Sequence, residues 1–152
     1  MKPLKLLGWT LKIGTLLSSF GFVITVSIQI FARYFLDNVP AWTEEASRIL
    51  FIYAIAFASG LAYRGNYFVQ LDLFSKKKNP KLQQNLNRII PLLVFLLFGV
   101  MGIYAIKVVE MGRYELSPSL QIPMTFPFFS LLIFTGSICI YAAINFLKQL
   151  KK

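Results

Sequence analysis

Residues 42–72 read WTEEASRILFIYAIAFASGLAYRGNYFVQLD. The uncharged run within this stretch, Ile49 to Tyr63, has 15 residues, roughly 22 Å of helix at the standard rise. The hydrocarbon core of a bilayer is about 30 Å thick, so a helix that crosses it here must begin near Thr43. That start brings Glu44, Glu45 and Arg48 to the membrane boundary, where charged side chains pair with each other or face protein. Arg48 follows Glu44 by four residues and Glu45 by three, so a guanidinium flanked by two carboxylates is geometrically available, with one negative charge left over. Three uses fit the cluster. It is an interfacial helix start after Val39-Pro40, with acids at the positive end of the dipole. It is a device that holds this helix against another polypeptide. Or it is an ion or proton site, which the lack of further acids or histidines deeper in the helix disfavours.

The whole chain has 152 residues, 57% hydrophobic and only 14% charged, and its apolar residues fall into four long uncharged blocks. That pattern predicts an all-α integral membrane protein with four transmembrane helices. The formal charge of +10 does not indicate nucleic acid, because the basic residues sit at the ends of the apolar blocks. The single Cys139 has no disulfide partner, and the chain contains no histidine. Histidine-ligated haem, histidine-centred metal sites and a Ser-His-Asp triad are therefore excluded within it. No phosphate loop, metal-ligand spacing or paired nucleophile and base appears. No catalytic residue, metal site or cofactor is expected, and the chain reads as a non-enzyme.

In chain order, residues 2–12 carry Lys2, Lys5 and Lys12 with Leu4, Leu7 and Leu11 at helical spacing, which predicts a short amphipathic interfacial helix. A secretory signal peptide is the competing view, but the apolar run Ile13 to Ala32 has 20 residues and ends in no small-residue cleavage site. Membrane helices are expected at about 13–36, 43–63, 82–108 and 126–147 in a single membrane domain, with a cytoplasmic loop over 64–81. That loop carries Lys76, Lys77 and Lys78, placed to touch anionic phospholipid head groups, and Asn79-Pro80 breaks it. The uncharged run Leu116 to Leu147 is 32 residues long and holds Pro118, Pro123 and Pro127, so its first part must be irregular. Thr125 as cap and Pro127 in the first turn suit a helix start there. With both termini cytoplasmic, 12 Lys and Arg lie inside and Arg33, Arg48, Lys107 and Arg113 outside, the positive-inside arrangement. Ala32-Arg33-Tyr34-Phe35-Leu36 and Gly112-Arg113-Tyr114-Glu115-Leu116 echo each other, too briefly to establish a repeat.

Inside the spans the polar residues are isolated: Ser18, Ser19, Thr25, Ser27, Gln29, Ser59, Thr135, Ser137 and Asn145. A stand-alone transporter builds a polar site near the midplane, so this distribution suits a scaffold or accessory subunit. The sequence resembles the small, DctQ-like membrane subunit of tripartite ATP-independent periplasmic (TRAP) transporters. The resemblance covers nearly the whole chain: a basic amphipathic start, four helices, Arg33-Tyr34 closing the first, and Trp42-Thr43-Glu44-Glu45-Ala46-Ser47-Arg48 opening the second. Arg64 through Asp72 resembles the segment that follows in the family, where a histidine often stands at the place of Phe68.

The resemblance implies a bacterial inner-membrane protein that does no chemistry itself. A separate large TRAP membrane subunit would move the substrate with sodium, and a periplasmic substrate-binding protein would deliver it. Within the family the chain looks closest to sialic acid importers, with C4-dicarboxylate import as the next choice. Trp42, Glu44, Glu45 and Arg48 are the candidate subunit-interface or structural cluster, with Arg64 and Asp72 organising the cytoplasmic return. Arg113 and Glu115 are the candidates for contact with the binding protein. The alternative is an independent homo-oligomeric four-helix pore or small exporter, which would require a polar stripe along one helix.

Overall fold

The computed structural model describes residues 2–36, 40–65 and 80–150. It is built from four helices, α1 Lys2–Phe35, α2 Ala41–Arg64, α3 Pro80–Met111 and α4 Thr125–Leu150. Each contains a stretch long and apolar enough to cross a membrane: Leu4–Phe35, Ala41–Arg64, Ile89–Met111 and Thr125–Gln149. At 1.5 Å per residue the 34 residues of α1 extend about 51 Å, well beyond a hydrocarbon core of about 30 Å. The amphipathic start expected over 2–12 is not a separate element. No proline follows Pro3 in this segment to interrupt the helix, and it runs straight into the first span.

Local chemistry sets the helix boundaries. Pro40 is extended, with φ −62° and ψ 117°, and the N–H of Thr43 donates to its carbonyl at 3.1 Å. The Thr43 hydroxyl donates to the same oxygen at 2.8 Å, and its side chain is fully buried. α2 therefore opens at Ala41, two residues ahead of the minimal span, and the Gly65 N–H closes it on Leu61. In α3, Pro91 stands inside the helix and removes one backbone donor. α4 begins at Thr125, whose hydroxyl donates across to the Val109 carbonyl of α3 at 3.5 Å.

The helices pack in the order α1, α2, α4, α3, so the two central helices separate the first from the third. On the α1 side, Phe57 lies directly against Gly14, Leu50 against Gly21, and Phe22 against Phe51 with ring centroids 5.3 Å apart. Gly60 lets α2 approach Ser137 of α4, with Leu11 of α1 closing the same junction. Beside it Ala56, Ser59, Ile138 and Ala142 are buried. On the other side Phe98 and Phe134 pack at 5.6 Å, joining α3 to α4. α1 and α3 keep broad apolar surfaces exposed, including Leu17, Phe20 and Phe31 on one and Leu93, Leu97 and Ile103 on the other. In a bilayer such surfaces face lipid or a neighbouring protein.

Candidate functional site

The starts of α2 and α4 and the ends of α1 and α3 meet at one end of the bundle, here the loop end. The α3–α4 connection there is a folded element. Leu116 and Pro123 form an antiparallel bridge, the Ser117 N–H donates to the Ile122 carbonyl at 2.9 Å, and the Met124 N–H donates to the Glu115 main-chain carbonyl at 2.9 Å. Gln121 takes a left-handed φ of 54° at the tip, and its side chain donates to the Pro118 carbonyl at 3.0 Å. Gly112 closes the base of the loop. A methyl there would stand 2.8 Å from the backbone of both Met124 and Thr125 and 2.7 Å from the Phe128 ring. The irregular segment expected from its three prolines is thus a tight hairpin with its own hydrogen bonds.

The charge cluster divides between two partners. Arg48 pairs with Glu44 across one turn at 3.0 Å, with both side chains more than two-thirds exposed. Glu45 turns the other way. One of its carboxylate oxygens accepts the backbone N–H groups of Ser119 and Leu120, each at 2.9 Å. Two successive amides aimed at one carboxylate form an anion-holding nest. Ser117, completely buried, directs its hydroxyl toward the same carboxylate, although the oxygen falls short of full hydrogen-bond geometry. The arrangement of one guanidinium between two carboxylates that the spacing allows is therefore not adopted as a symmetric pair. The loop amides offer Glu45 two charge-assisted bonds where Arg48 offers a second, exposed one.

Tyr53 adds a further tie, its hydroxyl donating to the Phe126 carbonyl at the start of α4 at 2.7 Å. Between these elements lies an open cleft of about 350 Å³. Its apolar walls include Ile49, Ile52, Met124 and Phe128, with Glu44, Glu45 and Arg48 at its edge. Trp42 is 44% exposed and stands outside the cleft lining. Arg113 and Glu115 are exposed on the loop beside Tyr114, which is 89% exposed. Arg64 lies at the opposite end of α2, about 24 Å from Arg48 along the helix, so the structure does not bring it to the cluster. Asp72, Lys76, Lys77 and Lys78 lie outside the described residues.

Deep in the spans six Ser and Thr hydroxyls bond back to their own helices. Thr15 donates to Leu11, Thr25 to Gly21, Ser27 to Val23, Ser59 to Ala56, Thr135 to Leu131 and Ser137 to Phe134. Across helices, Tyr63 and Asn145 interact side chain to side chain. Among the described residues no group of three or more His, Cys, Asp or Glu lies close enough to hold a metal ion. Sequence reasoning missed the Ser119 and Leu120 amides, because backbone donors carry no residue signature. The proline-flanked Ser-Pro-Ser turn was the only pointer to them.

A family model described as "Tripartite ATP-independent periplasmic transporters, DctQ component" matches residues 22–152. No curated protein matches the chain closely enough to count as a relative.

Proposed function

Because the chain belongs to the DctQ component family of tripartite ATP-independent periplasmic transporters, we propose that it serves as the fixed scaffold of such a transporter and presents its loop end to the periplasmic binding protein. It is a multi-pass protein of the bacterial inner membrane and a transporter component, not a member of an enzyme family. In this proposal both termini and the basic end face the cytoplasm, and the α3–α4 hairpin faces the periplasm. The large membrane subunit moves the organic acid together with sodium, with sialic acid the first choice of substrate and a C4-dicarboxylate the next. This chain holds that subunit in place through its exposed apolar faces.

The observation that carries the proposal is the double tie of Glu45 to the hairpin amides. It fastens an exposed loop to a membrane helix, which is what a docking platform requires and a moving element does not. The Ser and Thr hydroxyls bonded back to their own helices give the interior the character of a packing unit.

The test is charge reversal at the loop, Arg113→Glu with Glu115→Lys, in proteoliposomes holding the assembled transporter. A several-fold rise in the binding-protein concentration needed for half-maximal uptake is expected, since charges at the rim of an interface act mainly on encounter. Unchanged uptake would remove the loop from docking.

A further inference from the structure

At the basic end of the bundle three helices meet around two side-chain donors, the Arg64 guanidinium and the Tyr141 hydroxyl. Gly8 of α1 is buried, and the Arg64 guanidinium of α2 occupies the space that a side chain at this position would take. The Tyr141 hydroxyl of α4 stands 3.5 Å from the same point. Tyr141 is 4% exposed, and its hydroxyl has no hydrogen-bond partner among the described residues. A buried, unpaired hydroxyl is a costly arrangement. The guanidinium has N–H groups to offer the hydroxyl oxygen but nothing to accept the hydroxyl proton. The missing component is an acceptor that both groups can share, and a negatively charged oxygen serves Arg64 best.

The surroundings point the same way. Lys5 precedes Gly8 by three residues and Lys12 follows it by four, so both lie on the Gly8 face of α1. Lys148 lies two turns beyond Tyr141 on α4. The acids with described side chains, Glu44, Glu45, Glu110 and Glu115, all belong to the loop end. The cations around these two donors therefore meet no carboxylate among the described residues. Trp9, 61% exposed beside Gly8, is the kind of residue that settles at head-group depth, and Arg64 is the last residue of its span.

We propose that this site binds the phosphodiester of an anionic phospholipid, with Arg64 as the principal contact, Tyr141 as a second donor once the guanidinium turns outward, and Lys5, Lys12 and Lys148 supplying the surrounding field. A zwitterionic lipid offers the same phosphate but brings an ammonium group into that field. The site therefore prefers net negative head groups. This does not depend on the transporter assignment, since it concerns the opposite end of the bundle from the docking hairpin.

The experiment is native mass spectrometry of the purified full-length chain and of the assembled transporter. Each is titrated with phosphatidylglycerol, with phosphatidylcholine and with inorganic phosphate alone. Phosphatidylglycerol should be held about tenfold more tightly than phosphatidylcholine, Arg64→Gln should lose about tenfold, and Tyr141→Phe should lose a few-fold, in line with charged and neutral hydrogen bonds respectively. Tyr141→Phe keeps the ring and its packing, so it decides the matter if Arg64→Gln fails to fold. Equal retention of the two lipids, or wild-type retention by both variants, overturns the proposal. Displacement of the lipid by inorganic phosphate alone would show a free-anion site, and an assembled transporter that holds no lipid would show that a partner protein supplies the oxyanion. Either result also overturns it.

Discussion

Replacing Gly60 with alanine tests the junction at which three of the four helices meet. A methyl at this position would lie 2.7 Å from Cβ and 2.8 Å from Oγ of Ser137, and 3.1 Å from Cδ1 of Leu11. Carbon atoms in contact sit about 3.5–4.0 Å apart, so α2 and α4 must separate by several tenths of an ångström or more. Overpacking of this kind costs about 1–3 kcal/mol. Alanine returns about 0.5–1 kcal/mol through its better helix propensity. The net loss is up to about 2.5 kcal/mol, which for a chain of this size lowers Tm by up to about 10 °C. Gly136→Ala is the internal control. It lies one residue before Ser137 on the same helix, yet nothing stands within 4 Å of the added methyl. In the isolated chain it should leave Tm unchanged or raise it slightly. Thermal unfolding of both variants in the same detergent measures the difference. A Gly60→Ala chain as stable as Gly136→Ala would refute the close approach of α2 and α4.

Other perturbations separate the two halves of the charge cluster. Glu45→Ala should speed hydrogen exchange at the Ser119 and Leu120 amides about tenfold or more, since each loses a charge-assisted acceptor, while Arg48→Gln should leave those amides at the wild-type rate. A double-mutant cycle over Glu44→Gln and Arg48→Gln should give a coupling below about 0.5 kcal/mol, because the pair is exposed and one turn apart; a coupling several times larger would mean that it is held in a drier setting. Tyr53→Phe removes the hydroxyl that donates to Phe126 and should cost about 0.5–1.5 kcal/mol in chemical denaturation.

Much of the fold could be read from composition and spacing. Four uncharged blocks require four spans, and the separation of Glu44 and Arg48 places them on one helix face whatever surrounds the helix. Val39-Pro40 marked where α2 could begin. The order of the helices was not legible, because α2 meets α4 through Gly60 and Ser137, and small residues facing lipid and small residues facing another helix look alike in sequence. The destination of Glu45 was hidden for a different reason. Its partners are backbone amides 74 and 75 residues later in the chain, and only a folded hairpin aims them at a carboxylate. The prolines announced an irregular segment but not its hydrogen bonds, which depend on the left-handed Gln121 and on the close approach allowed by Gly112. Similarly, the separate amphipathic helix expected at the start merged into α1, since amphipathic periodicity sets which face is apolar and not where a helix ends.

A chain that acts as a fixed component of a larger assembly should leave the membrane in company. The most direct measurement is affinity isolation of the C-terminally tagged chain from gently solubilised native membranes, followed by mass identification and stoichiometry. A much larger multi-span membrane protein should be recovered at about equal amounts, together with a periplasmic binding protein when its substrate is present. Recovery of the chain alone, as a defined homo-oligomer that conducts ions in liposomes, would contradict it.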